Sequence, residues 1–453
     1  MDCRQTWLVT EGSGHVVDAE PELLVGLDIG ASKVTVVVAE RDDVSGEAQI
    51  IGIGQAAALG IRKGLVVNLE QAVQSVRRAV DDARNIVGLP IEEVTVAFGG
   101  SDVTSIRSRG MISLGRTSRQ VTVEDIGRVI EAAQTEIVPA LNQTIVHTIP
   151  IEYAIDGHSG IDDPLGMTGV RLEMELQSLI APTSVVQNVL TCVERAGLRV
   201  LGIIIKPLAS ALGVLTAEEA GAGAVVIDVG AGITGVAVYS EGKPKRLAVI
   251  PVGGDHVTND LACVLRIPMS KADLLKREVS LDEDGERLDD ELEFENRGKT
   301  FTCTVREVVD VISSRLEELF GTLVETEIAE ANVSVLPAGV VLTGGVANTF
   351  GIERLVSHFL DMPVRVGRPL DVHRMPPERN GVEYATAAGI IRYVVERERS
   401  PQKYLDPFQG AGEPRRKIAH PVRSTEEPRG PWIKGNPFAG FWTAVKKTLK
   451  ELF

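Results

Sequence analysis

Two aspartates lie 200 positions apart in matching surroundings. Asp28 falls in Leu27-Asp-Ile-Gly-Ala-Ser-Lys-Val-Thr-Val-Val-Val38, and Asp228 in Ile227-Asp-Val-Gly-Ala-Gly-Ile-Thr-Gly-Val-Ala-Val238. Each segment is an apolar run, an Asp, a glycine turn and a second β-branched run. That pattern predicts a hairpin whose turn needs glycine for its dihedrals and for close backbone approach. Gly230 to Gly235 also matches GxGxxG after a strand, which binds a dinucleotide pyrophosphate when it opens a helix. Here Gly235 is followed by Val-Ala-Val-Tyr, a strand, so the dinucleotide chemistry is excluded. No GxxxxGK[ST] occurs, which excludes a P-loop.

The repeated hairpin implies a duplicated fold, and other elements must position its halves. Asn68 to Val87 carries Leu69, Val73, Val76, Val80 and Ala83 at helical spacing and stops at Gly88-Leu89-Pro90. Val185 to Ala196 reads as a second helix, opened by Thr183 or Ser184 and closed by Gly197. Between them, residues 99–182 read as an inserted α+β subdomain, with a helix starting at Thr122-Val-Glu-Asp125. Ala338 to Thr343 is a strand running into Gly344-Gly345, with a helix from about Gly351. Nine of the 14 residues from Asp282 to Glu295 are acidic, which predicts a solvated loop.

In sum, the chain shows two Asp-Gly hairpins, a late strand–Gly-Gly–helix, and the runs Pro207-Leu-Ala-Ser-Ala211 and Ala385-Thr-Ala-Ala-Gly389. This order resembles the actin, Hsp70 and sugar-kinase superfamily. The resemblance implies an α/β duplicated fold with a nucleotide cleft in which turn amides cradle the phosphates of ATP. The residues it points to are Asp28, Gly30, Ala31, Ser32 and Lys33 in the first turn, and Asp228, Gly230, Ala231, Gly232 and Thr234 in the second. Gly254 and Lys276, and Gly344, Gly345 and Val346 beneath the adenosine, complete the set. It also implies that Asp28 and Asp228 hold Mg²⁺, largely through water.

Within that superfamily the chain is similar to the bacterial cell-division FtsA family. The blocks that carry the likeness are Val25-Gly-Leu-Asp-Ile-Gly-Ala-Ser-Lys-Val34, Pro150-Ile-Glu-Tyr-Ala-Ile-Asp156 and Pro164-Leu-Gly-Met-Thr-Gly-Val-Arg171. Val193-Glu-Arg-Ala-Gly-Leu198 and Gly339-Val-Val-Leu-Thr-Gly-Gly345 add to it. The division implied is subdomain 1A at 23–98 and 183–218, 1C at 99–182, 2A at 219–264 and 332–396, and 2B at 265–331. Residues 1–22 form a variable lead, 397–431 a disordered linker and 432–453 an amphipathic helix.

The resemblance implies a protein that polymerises on the inner membrane surface, tethers the C-terminal peptide of FtsZ through 2B, and meets later division proteins through 1C. Arg315 matches a basic position of the peptide site; read by itself it is a helix-surface Arg paired with Glu318 or another neighbour. A pilus-assembly scaffold or a small-molecule kinase of the same superfamily are the alternatives. Hydrolysing relatives place a Glu or Gln before the first connecting helix to position water, and this chain has Lys206 there. An ammonium cannot accept the water's proton, so ATP binding with weak or negligible turnover is expected.

The charge distribution agrees with a membrane role. The net charge is −16, yet from Ser400 onward ten basic residues face five acidic ones, leaving −21 on residues 1–399. Seven of the 18 aromatic residues also lie in those last 54 positions. Seven prolines and little apolar periodicity between Ser400 and Pro437 predict the linker. After residue 431 come Trp432 and then Phe438, Phe441, Trp442, Val445, Leu449 and Leu452 at steps of three and four. Lys446, Lys447 and Lys450 lie mainly off that face, and Phe453 ends the chain. A basic amphipathic helix with aromatic anchors lies in a membrane interface, reversibly and with a preference for anionic lipid.

Other classes are set aside. An acidic total argues against a nucleic-acid partner. Four scattered cysteines fit a reducing cytosol, the histidines form no HExxH pair, and Met1 to Glu22 has no apolar signal run. The apolar stretch Gly221 to Tyr239 carries five glycines and Asp228, so it reads as strand–turn–strand and not as a membrane span. The resemblance implies a location at the cytoplasmic face of the inner membrane at the division site, bound peripherally.

Overall fold

The computed structural model describes residues 23–42, 46–100, 102–282, 287–296, 299–370, 375, 379–400 and 404, all within one unit spanning Pro21–Pro414. The lead, most of the linker and the C-terminal helix expected at 432–453 lie outside the described residues.

Both Asp-Gly segments form the expected hairpins. Leu23–Ile29 pairs antiparallel with Lys33–Arg41, and Ala224–Val229 with Thr234–Ser240. Each hairpin is the centre of a five-stranded sheet of the same topology. In the first sheet, Ala48–Ala57 flanks the hairpin on one side, and Glu93–Phe98 then Arg199–Ile205 continue in parallel on the other. Lys243–Ile250, Val340–Thr343 and Val364–Val366 take those places in the second. Strand residues such as Leu27, Val36, Val96, Ile227, Val236 and Val341 are fully or almost fully buried, as β-branched and apolar side chains between covering layers should be.

Helix Leu69–Val87 covers the first sheet with Val73, Val76, Val80 and Ala83 inward. Asn68 caps it by accepting from the Gln71 amide, and Gly88 ends it at φ 70°, in the left-handed region. The helix expected from Val185 spans Thr183–Arg195; it follows Pro182 and has no side-chain cap, where a Thr or Ser cap was expected. Helices Lys206–Val214 and Ala385–Arg399 cross between the two halves at very short range. A Cβ on Gly389 would fall 1.7 Å from the Ala209 carbonyl oxygen, and one on Gly213 would fall 2.1 Å from that of Ala385. Two glycines therefore set the approach of the helices that join the duplicated halves.

The insertion has its own core. Strands Thr104–Ser113, Gln143–Ile155, His158–Ile161 and Arg171–Pro182 form a sheet, and helix Val123–Thr135 packs on it through Val129 and Ala133. The Thr122 start is a reciprocal cap with Asp125, as its sequence suggested.

One expectation is corrected. Part of the acidic run is not a loop: Glu291–Asn296 pairs antiparallel with Lys299–Thr304. Glu291, Leu292, Glu293, Phe294 and Glu295 alternate charge with apolar residues, the period of a strand with one face covered. Leu292 accordingly packs against the core of the second half. Among the described residues, no helix is long and apolar enough to cross a membrane.

Candidate functional site

The two hairpin turns are closed by the same bond. The Gly30 amide donates to the Lys33 carbonyl at 3.0 Å, and the Gly230 amide to that of Ile233 at 3.0 Å. They face each other closely: a Cβ on Gly232 would sit 2.9 Å from the Ala31 Cβ and 3.1 Å from the Lys63 amide nitrogen. Helix Gly254–Leu265 starts on the second turn, its Gly254 amide bonding to the Gly230 carbonyl at 2.9 Å and its Asp255 amide to that of Ala231 at 2.8 Å.

Between the turns opens a cavity of about 790 Å³. Its walls include Asp28, Gly30, Ala31, Ser32, Lys33, Asp228, Gly230, Ala231, Gly232, Gly254, Lys276, Gly344, Gly345 and Val346, each named from sequence. Thr234 is the exception. Its side chain is buried and its hydroxyl donates to the Val252 carbonyl at 2.8 Å, so it braces the turn from behind. Gly344 forms part of the floor at φ 86°, where a Cβ would lie 2.3 Å from Asp228 Oδ1. Nothing lies within 4 Å of where a Gly345 Cβ would be. Glycine-lined turns, an open floor and this volume fit a nucleotide.

The charged groups of the cleft are tied down individually. Lys33 stands over the Tyr384 ring at 4.2 Å, and burial lowers its pKa. Lys276 Nζ donates to Thr258 Oγ1 at 2.6 Å and to the Gly254 carbonyl at 3.1 Å, and pairs with Asp273 at 2.9 Å. Asp228 accepts from Ser210 Oγ at 2.5 Å and Thr386 Oγ1 at 2.9 Å. Burial raises its pKa, the two hydroxyls oppose that, the Asp28 carboxylate adds to it and Lys206 opposes it. Asp28 is ion-paired: Lys206 Nζ lies 2.7 Å from its Oδ1 and donates to the Ile29 carbonyl at 2.8 Å. The two carboxylates expected to face a hydrated Mg²⁺ thus have protein partners already.

Ser210 and Thr386 were not named from sequence as binding residues. Both lie inside the connecting-helix runs noted there, one on each side of the crossing, and their hydroxyls lie 2.8 Å apart. Arg315 is far from this chemistry in kind. It pairs with Asp260, Nε to Oδ2 at 2.6 Å, and with Glu318, which ties helix Val305–Glu318 to helix Gly254–Leu265.

Duplicated sheets with paired helices crossing between them and a glycine-walled cleft define the class of actin-like ATPase folds. Residues 225–389 match the family described as "Cell division protein FtsA", and residues 100–180 match "SHS2 domain inserted in FTSA". The chain belongs to the FtsA family of cell-division proteins. It is 34% identical over 437 residues to cell division protein FtsA of Pseudomonas aeruginosa, covering 92% of this chain and 98% of that one. With that of Bacillus subtilis it shares 35% over 384 residues, 83% of this chain and 84% of the other. Among solved structures, the PilM–PilN type IV pilus biogenesis complex aligns with a TM-score of 0.59 at 18% identity, covering 82% of this chain and 98% of that one. That likeness is one of fold alone.

Proposed function

We propose that this chain is an ATP-binding, filament-forming adaptor that holds FtsZ to the inner membrane surface at the division site. The observation that carries the nucleotide part is the pair of facing glycine turns, Gly232 against Ala31, around a cavity large enough for ATP. Family membership supports the division role.

Turnover is weak or negligible in this reading, because Lys206 heads the first connecting helix where a water-positioning carboxylate or amide would be needed, and its ammonium is occupied by Asp28. Residues 265–331 take the FtsZ peptide, with Arg315 as its basic contact. Since Arg315 is bound to Asp260 and Glu318, an acidic peptide side chain would have to share or displace those partners. The insertion at 99–182 takes later division partners. The terminal helix from Trp432 supplies reversible attachment to anionic lipid, multiplied when copies assemble on one filament.

The kinase alternative lacks a placed catalytic base. The pilus-scaffold alternative has the shared fold but not the family relationship. Electron microscopy on anionic lipid monolayers with ATP tests the reading. Filaments on lipid that vanish on deletion of 432–453 support it, and filaments equally abundant without those residues contradict the membrane part.

A further inference from the structure

Lys206 is built into the cleft. It opens helix Lys206–Val214, with Pro207 next and Ile205 extended before it, so its side chain leaves a fixed point. The stem passes over Gly99, where a Cβ would lie 2.6 Å from Lys206 Cδ and 3.0 Å from its Cγ. Any other residue at 99 would push the lysine aside. The ammonium then meets Asp28 Oδ1 at 2.7 Å and the Ile29 carbonyl at 2.8 Å, with 11% of the side chain exposed. One donor goes to the Ile29 carbonyl, the contact with Asp28 is an ion pair without hydrogen-bond alignment, and Lys206 still lines the cavity.

A divalent cation helps a nucleotide bind by cancelling repulsion between its phosphates and nearby carboxylates. In this cleft that repulsion is met by the protein. Asp28 is paired with an ammonium, Asp228 is half-buried and bound by two hydroxyls, and of the other charges on the cavity wall Lys33, Lys276 and Arg277 match Asp255, Asp273 and Glu383 in number. We infer that Lys206 is the cleft's own cation, ion-paired with Asp28 and presenting its ammonium to the phosphates, so that ATP binds without needing a divalent metal ion. This rests on the nucleotide reading above and deepens it.

The test is ATP affinity of the full chain by isothermal titration, in EDTA and in excess Mg²⁺, for the wild type, Lys206→Gln and Lys206→Arg. Wild-type affinity should differ by less than about threefold between the buffers, since the ammonium already supplies the charge. Lys206→Gln should bind at least about tenfold more weakly in EDTA and recover in Mg²⁺, because the released Asp28 is then free for the metal. Lys206→Arg keeps the charge and should stay metal-independent. Wild-type affinity falling by more than about tenfold in EDTA overturns the inference, as does equal loss by Lys206→Gln in both buffers. Absence of wild-type binding in both buffers overturns the nucleotide reading itself. The wild-type comparison decides even where a variant does not fold, which circular dichroism reports.

Discussion

Gly30 and Gly230 close the same turn 200 residues apart, each amide 3.0 Å from the carbonyl three positions on. The two are not equally crowded. A Cβ on Gly30 would come 2.6 Å from the Lys33 carbonyl oxygen, whereas one on Gly230 would stay 3.1 Å from that of Ile233. Gly30→Ala must therefore move the first turn, while Gly230→Ala needs only a small adjustment. Titration calorimetry should show ATP affinity falling by about tenfold or more for Gly30→Ala and clearly less for Gly230→Ala. Equal losses would mean that crowding at the turn does not govern binding.

The insertion should fail independently of the cleft. Asp125 is almost fully buried, caps helix Val123–Thr135 with Thr122, and accepts two bonds from Arg119 at 2.6 and 2.7 Å. The Arg119 guanidinium holds its carboxyl well below the usual carboxylate range. Asp125→Ala should cost about 2–3 kcal/mol in the stability of the insertion by chemical denaturation. ATP affinity should stay within about twofold, since the insertion has a core of its own. A large change in affinity would show coupling that the separate cores do not account for.

A buried histidine predicts a pH response. His147 is fully buried beside the packed rings of Tyr393 and Tyr404, and burial first, then the Arg397 cation, lower its pKa from 6.5 to about 4. A depressed folded pKa gives stability that is present above pH 6.5 and lost as pH falls toward 4, because only the unfolded chain takes up the proton in that window. Between about pH 7 and pH 5 the loss from this group is about 2 kcal/mol. Urea denaturation at both pH values should give His147→Phe a smaller drop than wild type by that amount. An identical drop would remove His147 from the acid response.

The terminal helix offers a test outside the described residues. Trp442 is central to the apolar face read from sequence, and a carboxylate there is both buried and repelled by anionic lipid. Trp442→Glu should reduce co-sedimentation with anionic vesicles by about tenfold or more. Wild-type binding by this variant would sink the membrane reading.

Much of the fold was legible because local chemistry and tertiary need coincide. Asn68 and Gly88 mark the ends of a helix whose apolar spacing also faces the sheet, and Gly30 and Gly232 serve close approach in the turns, although Gly30, Gly230 and Gly232 all lie outside the left-handed region their dihedrals were expected to need. Where one signal hid another, reading failed: the charges of Glu291 to Glu295 concealed a period of two. Thr234 looked like a ligand residue because its motif includes it, yet the pleat turns its hydroxyl inward to Val252. Lys206 stood out as a departure, but its partner Asp28 lies 178 residues earlier and only the folded sheet brings them together. Ser210 and Thr386 belong to the same class, since their bonds to Asp228 exist only once two helices cross.

The most direct test of the adaptor role is co-sedimentation of purified FtsZ with anionic vesicles in the presence of ATP and this chain. The account predicts FtsZ in the pellet only when chain and vesicles are both present, and its loss on deletion of residues 432–453. FtsZ remaining in the supernatant while this chain itself pellets with the vesicles would contradict it.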